Sequence, residues 1–226
     1  MLLARRDILL AFGATLFVTS VRAEDPPRIV AGIGWRGSKV QIFFSNGTYT
    51  RFDVATGKVD EGYPKPINDE TWPGLAPYAG DIVAACTWPG DKLQIFLKDG
   101  RYIRYDVAKD RADPGYPRPI TDESWPGLAP DARQIAATLN WPGDKLQIFL
   151  KDGRYIRYDV AKDRADPGYP QPVDDSSWPG LAAYKRLFGC MVNLENKKAV
   201  IFLTDRRFIV YDIAADRIDP GYPKSL

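Results

Sequence analysis

The fold of this 226-residue chain is decided by a stretch of thirty residues that occurs twice. Residues 88–117 read WPGDKLQIFLKDGRYIRYDVAKDRADPGYP, and residues 141–170 repeat them without a change. The closing Gly-Tyr-Pro also occurs at 62–64 and 221–223, so one step of 53 residues relates four units. Because self-similarity at a fixed period is the signature of repeat architectures, the chain is predicted to be four copies of one structural unit.

Each unit is predicted to be made of β-strands. In the second unit the apolar and aromatic residues fall into three runs, at 81–88, 92–98 and 101–106. Asp99-Gly100, between the last two runs, is a strong two-residue hairpin signal. A short fourth strand is expected near 111–113, and the run Thr121–Ser124 is expected to cap one helical turn before Trp125.

The repetition predicts an all-β fold, a four-bladed β-propeller. One four-stranded sheet cannot bury both of its faces alone, whereas sheets arranged radially bury each face against a neighbour. The blades are expected at about 28–78, 81–130, 133–183 and 186–226, around a narrow channel lined by the first strands.

The first 23 residues are predicted to be a cleaved signal peptide. Arg5-Arg6 precedes an apolar run that is too short for a membrane span, and Val21-Arg22-Ala23 suits a signal peptidase. The sequence after Arg5 is typical of a twin-arginine export signal; an ordinary secretory signal is the alternative. A periplasmic or extracellular bacterial protein is therefore expected, with residues 24–226 as its folded domain.

Composition narrows the possible functions. The chain has no histidine, which excludes a Ser-His-Asp triad and histidine ligation of a metal or haem. The leader contains three of the 31 basic and one of the 29 acidic residues, so the remainder is neutral. A neutral chain is not expected to bind nucleic acid, and no nucleophile–base pair indicates an enzyme.

Three motifs carry a resemblance to a known family. These are Arg101–Asp106 (RYIRYD), Asp113–Pro117 (DPGYP) and Trp125–Leu128 (WPGL), which recur through the chain. With them, residues 28–226 resemble the hemopexin-like repeat, and a single exported domain is similar to the photopexin-type bacterial proteins. The resemblance implies a four-bladed propeller that acts as a binding domain.

The resemblance also implies a channel cation such as calcium, held by backbone carbonyls of the inner strands. The matching positions are Val30, Val83, Ala136 and Gly189, and a second ring would be Gly32, Ala85, Thr138 and Met191. The aspartates that family members carry at the first ring are absent, so the alternative is that these residues only let four strands converge. Haem ligation through histidine is not expected.

Many family members close the ring with a disulfide, which is not expected here. Cys190 aligns with Ala84, two residues from Cys86, so the two thiols share strand parity and face different neighbouring blades. We predict no intramolecular disulfide and two buried thiols that act as small apolar side chains.

Several patterns could form binding surfaces, and packing explains most of them. The Tyr-Arg alternation of the third strands, the linker tryptophans and the acidic linker residues are better explained by blade packing and turn capping than by a ligand. The fourth unit departs from the repeat with six basic residues, which form the predicted partner patch: Lys185, Arg186, Lys197, Lys198, Arg206 and Arg207.

The sequence thus predicts an exported, non-enzymatic propeller that docks a protein partner. The alternative is a small ligand or ion in or near the channel, such as haem without histidine ligation, a polyamine or a divalent cation.

Overall fold

The structure is a computed structural model that describes residues 26–35, 39–53, 56 and 58–225. The predicted signal peptide, residues 1–23, lies outside the described residues. None of the helices in these ranges is long and apolar enough to cross a membrane.

Within the described ranges, twenty strands form four sheets, each built from consecutive strands. The first blade contains β1 (Ile29–Gly34), β2 (Lys39–Phe44), β3 (Thr48–Asp53), β4 (Lys58–Val59) and β5 (Lys65–Pro66). The second contains β6 (Ile82–Trp88), β7 (Lys92–Leu97), β8 (Arg101–Asp106), β9 (Arg111–Ala112) and β10 (Arg118–Pro119). The third contains β11 (Ile135–Trp141), β12 (Lys145–Leu150), β13 (Arg154–Asp159), β14 (Arg164–Ala165) and β15 (Gln171–Pro172). The fourth contains β16 (Phe188–Leu194), β17 (Lys198–Leu203), β18 (Arg207–Asp212), β19 (Arg217–Ile218) and β20 (Lys224–Ser225).

The predicted all-β, four-bladed propeller is confirmed. In each blade the first four strands pair antiparallel in chain order, and the first strand lies innermost. The four inner strands β1, β6, β11 and β16 contact one another around the ring, including the last with the first. Around this ring the blades bury their faces against their neighbours.

Two details differ from the prediction. Each sheet has a fifth strand of two residues, which pairs with the start of the third strand: Arg118 lies opposite Tyr102 and Pro119 opposite Arg101. The helical turn lies after the linker tryptophan, in 3₁₀ helices at Ala76–Asp81, Ala129–Gln134 and Ala182–Tyr184. Residues 121–125 form a turn instead, since the Trp125 N–H donates to the Thr121 carbonyl at 2.7 Å.

The linkers plug the junctions between consecutive blades. Trp72, Trp125 and Trp178 are buried in the three clusters that join blades one to two, two to three and three to four. A leucine three residues after each tryptophan is also fully buried in the same cluster. The linkers therefore supply the core of three junctions.

Both cysteines are buried free thiols, as predicted. Cys86 lies in the cluster between blades two and three, and Cys190 in the cluster between blades four and one. Burial raises the pKa of both thiols, so they remain neutral packing groups.

Candidate functional site

One mouth of the central channel is built from four equivalent irregularities of the inner strands. In each blade the pairing of the first two strands shifts by one residue near its start, for example between Ile29 and Ala31. The extra residues are the four predicted first-ring positions: Val30, Val83, Ala136 and Gly189. A bulge leaves its extra residue unpaired and bends the strand. All four line one cavity of about 240 Å³, which we call the channel mouth.

The charged side chains around the channel mouth are all basic. Arg28, Lys151, Lys185 and Arg186 line it, and none of its described lining residues is acidic. The Lys151 ammonium donates to the Arg133 carbonyl at 2.8 Å. Like charges gathered at a concave surface raise the local concentration of oppositely charged groups, so the mouth is suited to an anion.

This lining does not fit a divalent cation. Calcium in proteins takes six to eight oxygen ligands, usually with carboxylates among them, and here four cationic groups border the carbonyl positions. Within the described residues no group of three or more Asp, Glu or Cys side chains could hold a metal. At the second-ring positions, the Thr138 hydroxyl donates to the Ala85 carbonyl at 2.9 Å, so one of these carbonyls is already used in packing blades together.

The six basic residues of the predicted partner patch do not lie together. Lys185 and Arg186 line the channel mouth, and Arg206 and Arg207 lie at the second-to-third strand hairpin of blade four. Lys197 and Lys198 lie at the opposite end of that blade, where Lys198 pairs with Leu194 at the end of the inner strand. Lys198 is also held by ion pairs to Asp212 and Asp219 at 2.7 and 2.8 Å. Only the Lys185–Arg186 part therefore contributes to the channel mouth.

The aromatic and acidic patterns of the repeat take part in packing. Tyr102 and Tyr158 lie within 5.7 and 5.0 Å of the Trp125 ring, and burial raises the pKa of Tyr102 to about 12. In the linker, the Asp122 carboxylate accepts from the Gly127 N–H at 3.1 Å. These contacts give the two patterns roles in packing and turn capping.

Each blade carries an ion cluster at the end opposite the channel mouth. In blade two the Lys92 ammonium lies 2.7 Å from the Asp106 carboxylate and 3.2 Å from that of Asp113. The Arg104 Nε lies 2.5 Å from Asp113. Hydrogen bonds from Lys92 and from the Lys109 backbone hold the pKa of Asp106 well below its usual range, and Lys145 and Lys162 do the same for Asp159.

These clusters predict loss of stability in acid. Because the folded-state pKa of Asp106 and of Asp159 is depressed, the stabilising contribution of these two carboxylates is present above the unfolded pKa of about 3.9 and is lost as the pH falls. We expect the free energy of unfolding, from urea denaturation at a series of pH values, to decline below about pH 5. Asp106→Asn should make the decline shallower, whereas Glu123→Gln, at an exposed linker position, should leave it unchanged. An unaltered slope in Asp106→Asn would rule out this origin.

A second candidate site lies at the junction of blades four and one. There an apolar groove of about 460 Å³ is lined by Val40, Ile42, Phe52, Leu194, Phe202 and Phe208, among others. We call it the open groove, because among the described residues no linker tryptophan fills it. Sequence reasoning missed this site, because it compared the four units with one another and did not compare the four junctions between them.

Comparison with known proteins agrees with this architecture. The Hemopexin family model matches residues 82–130, which form the second blade and its linker. Human matrix metalloproteinase-25 is 35% identical over 88 residues, which cover 37% of this chain and 15% of the relative. The chain thus spans a small part of this relative.

Solved structures match over most of both chains. A hemopexin fold protein, CP4, from cow pea superposes with a TM-score of 0.74 at 16% identity, covering 88% of this chain and 94% of the other. A plant lectin with two metal binding sites from Cicer arietinum superposes with a TM-score of 0.69 at 19% identity, covering 88% and 90%. At these identities the structures indicate the fold alone. The family match to the second blade, together with the repetition of that unit, supports a hemopexin-like repeat in this chain.

Proposed function

We propose that this hemopexin-like propeller is a non-enzymatic binding module that docks an acidic segment of a protein partner at its channel mouth. The observation that carries the proposal is the group of four basic residues, Arg28, Lys151, Lys185 and Arg186, at a mouth whose described lining has no acidic residue. The cavity of about 240 Å³ is below the usual range of drug-sized ligand pockets, about 300–1,000 Å³. It suits an inserted carboxylate side chain better than a large ligand.

A charge-neutral double variant tests the proposal. A short fluorescein-labelled poly-glutamate peptide should bind the protein, and Lys185→Gln with Arg186→Gln should weaken that binding about tenfold or more, measured by fluorescence anisotropy. The matched control is Lys109→Gln with Lys162→Gln, which removes the same charge at the opposite end of the propeller. Equal weakening by both pairs would mean unspecific charge attraction and would overturn the proposal.

The alternative function is a small ligand in the same mouth. The four basic residues favour a small anion over a polyamine or a divalent cation, since both of these would be repelled. A calcium ion or haem is supported by family resemblance and not by the charge or size of the mouth. Native mass spectrometry of protein from its own host would reveal such a ligand as a mass retained by the native protein and lost in the Lys185→Gln, Arg186→Gln variant.

Export is part of the proposal and rests on the sequence of residues 1–23. A precursor that keeps its leader after expression in its own host would contradict it.

A further inference from the structure

The open groove is the fourth member of a set whose other three members are filled. At the junction of blades three and four, Trp178 lies between Phe149 and Tyr155 of one blade and Tyr211 of the next. One repeat further on, the corresponding residues are Phe202, Phe208 and, on blade one, Phe52. All three line the open groove. The walls that hold a tryptophan at one junction are therefore repeated at the next, around a space that none of the described residues fills.

The residue that covers the linker elsewhere is exposed here. A Cβ atom on Gly74, Gly127 or Gly180 would lie within about 3 Å of Ala112, Ala165 or Ile218, so each linker glycine rests on that residue. The backbone N–H groups of Ala112 and Ala165 also donate to the linker proline carbonyls, at 3.0 and 2.9 Å. Val59 holds this position in blade one and is 49% exposed, the only large apolar side chain so exposed among the described residues.

The groove also contains an unused polar atom. Thr50 lines it, is 6% exposed, and its hydroxyl oxygen has no hydrogen-bond partner within the described structure. The equivalent residues of the other blades are Ile103, Ile156 and Ile209, so the repeat itself does not require a hydroxyl. A buried polar atom without a partner costs free energy, and an indole N–H from an occupant is a suitable donor.

The rim of the groove is basic. Lys58 precedes Val59, Lys224 precedes the lining residue Ser225, and both side chains are exposed without a described ion pair. The linkers that fill the other three junctions carry an aspartate three residues before the tryptophan, namely Asp69, Asp122 and Asp175. Each of these carboxylates accepts from the N–H of the linker glycine at 2.9–3.1 Å. A linker-type segment therefore carries a negative charge, which favours its approach to a basic rim.

We infer that the open groove binds a linker-type segment of a partner protein, with an acidic residue followed by Trp-Pro-Gly-Leu or a close variant of it. The tryptophan would fill the space between Phe202, Phe208 and Phe52, the glycine would rest on Val59, and the leucine would complete the junction. The inference shares with the proposed function only the premise that the propeller docks proteins, because the groove is separate from the channel mouth.

The test uses a labelled peptide with the sequence of residues 173–183, VDDSSWPGLAA, and the intact protein. We expect saturable binding by fluorescence anisotropy, and a loss of at least tenfold in affinity when the peptide tryptophan is replaced by alanine. Val59→Asp should weaken binding by a similar factor, because it places a carboxylate against the glycine and the acidic segment. Ala214→Asp, which adds the same charge at an exposed turn, is the matched control. Thermal unfolding followed by circular dichroism checks that both variants are folded.

Any one of the following outcomes would overturn the inference. The first is equal binding of the tryptophan and alanine peptides. The second is binding that Val59→Asp leaves unchanged. The third is evidence for a different occupant. Free indole could bind with the same affinity as the peptide, or light scattering could show a dimer that the peptide does not dissociate. Lys185→Gln with Arg186→Gln should leave peptide binding intact. Failure of the peptide with retained poly-glutamate binding would therefore remove this site and leave the channel mouth in place.

Discussion

Trp125→Ala is expected to lower the free energy of unfolding by about 3–5 kcal/mol, the usual cost of removing a large buried aromatic side chain. Trp125 is 2% exposed. Its ring centroid lies 5.0 Å from those of Trp88 and Tyr158 and 5.1 Å from that of Phe96. The substitution thus opens a cavity that both neighbouring blades line, and the rigid ring offers few ways to close it.

Urea denaturation followed by circular dichroism measures this loss. Trp125→Phe keeps an aromatic ring in the junction and should lose less. Val59→Ala removes apolar surface from an exposed position and should change stability by no more than about 0.5 kcal/mol. If Trp125→Ala lowered the free energy of unfolding as little as Val59→Ala, the linker tryptophans would lie over the junctions without forming their core.

Gly32→Ala is expected to destabilise the ring by about 1–3 kcal/mol, the usual cost of overpacking. A Cβ atom at Gly32 would lie 2.5 Å from the Cys190 sulfur and 2.8 Å from a Val192 methyl group. Gly34→Ala is the matched control in the same strand, since its added Cβ would meet nothing within 4 Å. Equal losses of stability in the two variants would show that the loss comes from replacing a glycine in this strand and not from crowding of the added Cβ atom.

The crowding at Gly32 is coupled to Cys190. At the junction of blades one and two the equivalent positions are Ala85 and Ala31, which share one buried cluster. Gly32→Ala with Cys190→Ala recreates that pair of side chains where the ring closes. A double-mutant cycle should therefore give a favourable coupling free energy of about 0.5 kcal/mol or more. Strictly additive losses of stability would contradict the idea that a smaller side chain at position 190 makes room for a larger one at position 32.

The fold was predictable from the sequence because its signals repeat. Four copies of each turn and strand pattern gave the blade count, the strand order and the role of the linker tryptophans. The bulge positions Val30, Val83, Ala136 and Gly189 also lie together at the channel mouth, where the resemblance implied. Because the four repeats occupy equivalent positions around the ring, a correct alignment of the repeats predicts the place of each equivalent residue.

The parts that the sequence did not predict depend on contacts between segments. The fifth strands, such as Arg118–Pro119, are two residues long and have no periodicity to read. The basic patch was inferred from closeness in sequence, but the six-residue strand β17 separates Lys198 from Arg206 and sends them to opposite ends of a blade. The open groove is a property of the ring rather than of any unit, and becomes visible only when the fourth junction is compared with the other three.

The thirty identical residues of blades two and three also give the molecule two copies of one surface. The strands of both blades have the same bounds within the repeat and the same pattern of burial. Any partner that reads the exposed face of one blade meets the same face again a quarter-turn away on one rigid body. Such a partner would bind with a stoichiometry of two, and a partner with two linked recognition elements would gain avidity from an effective concentration set by its linker.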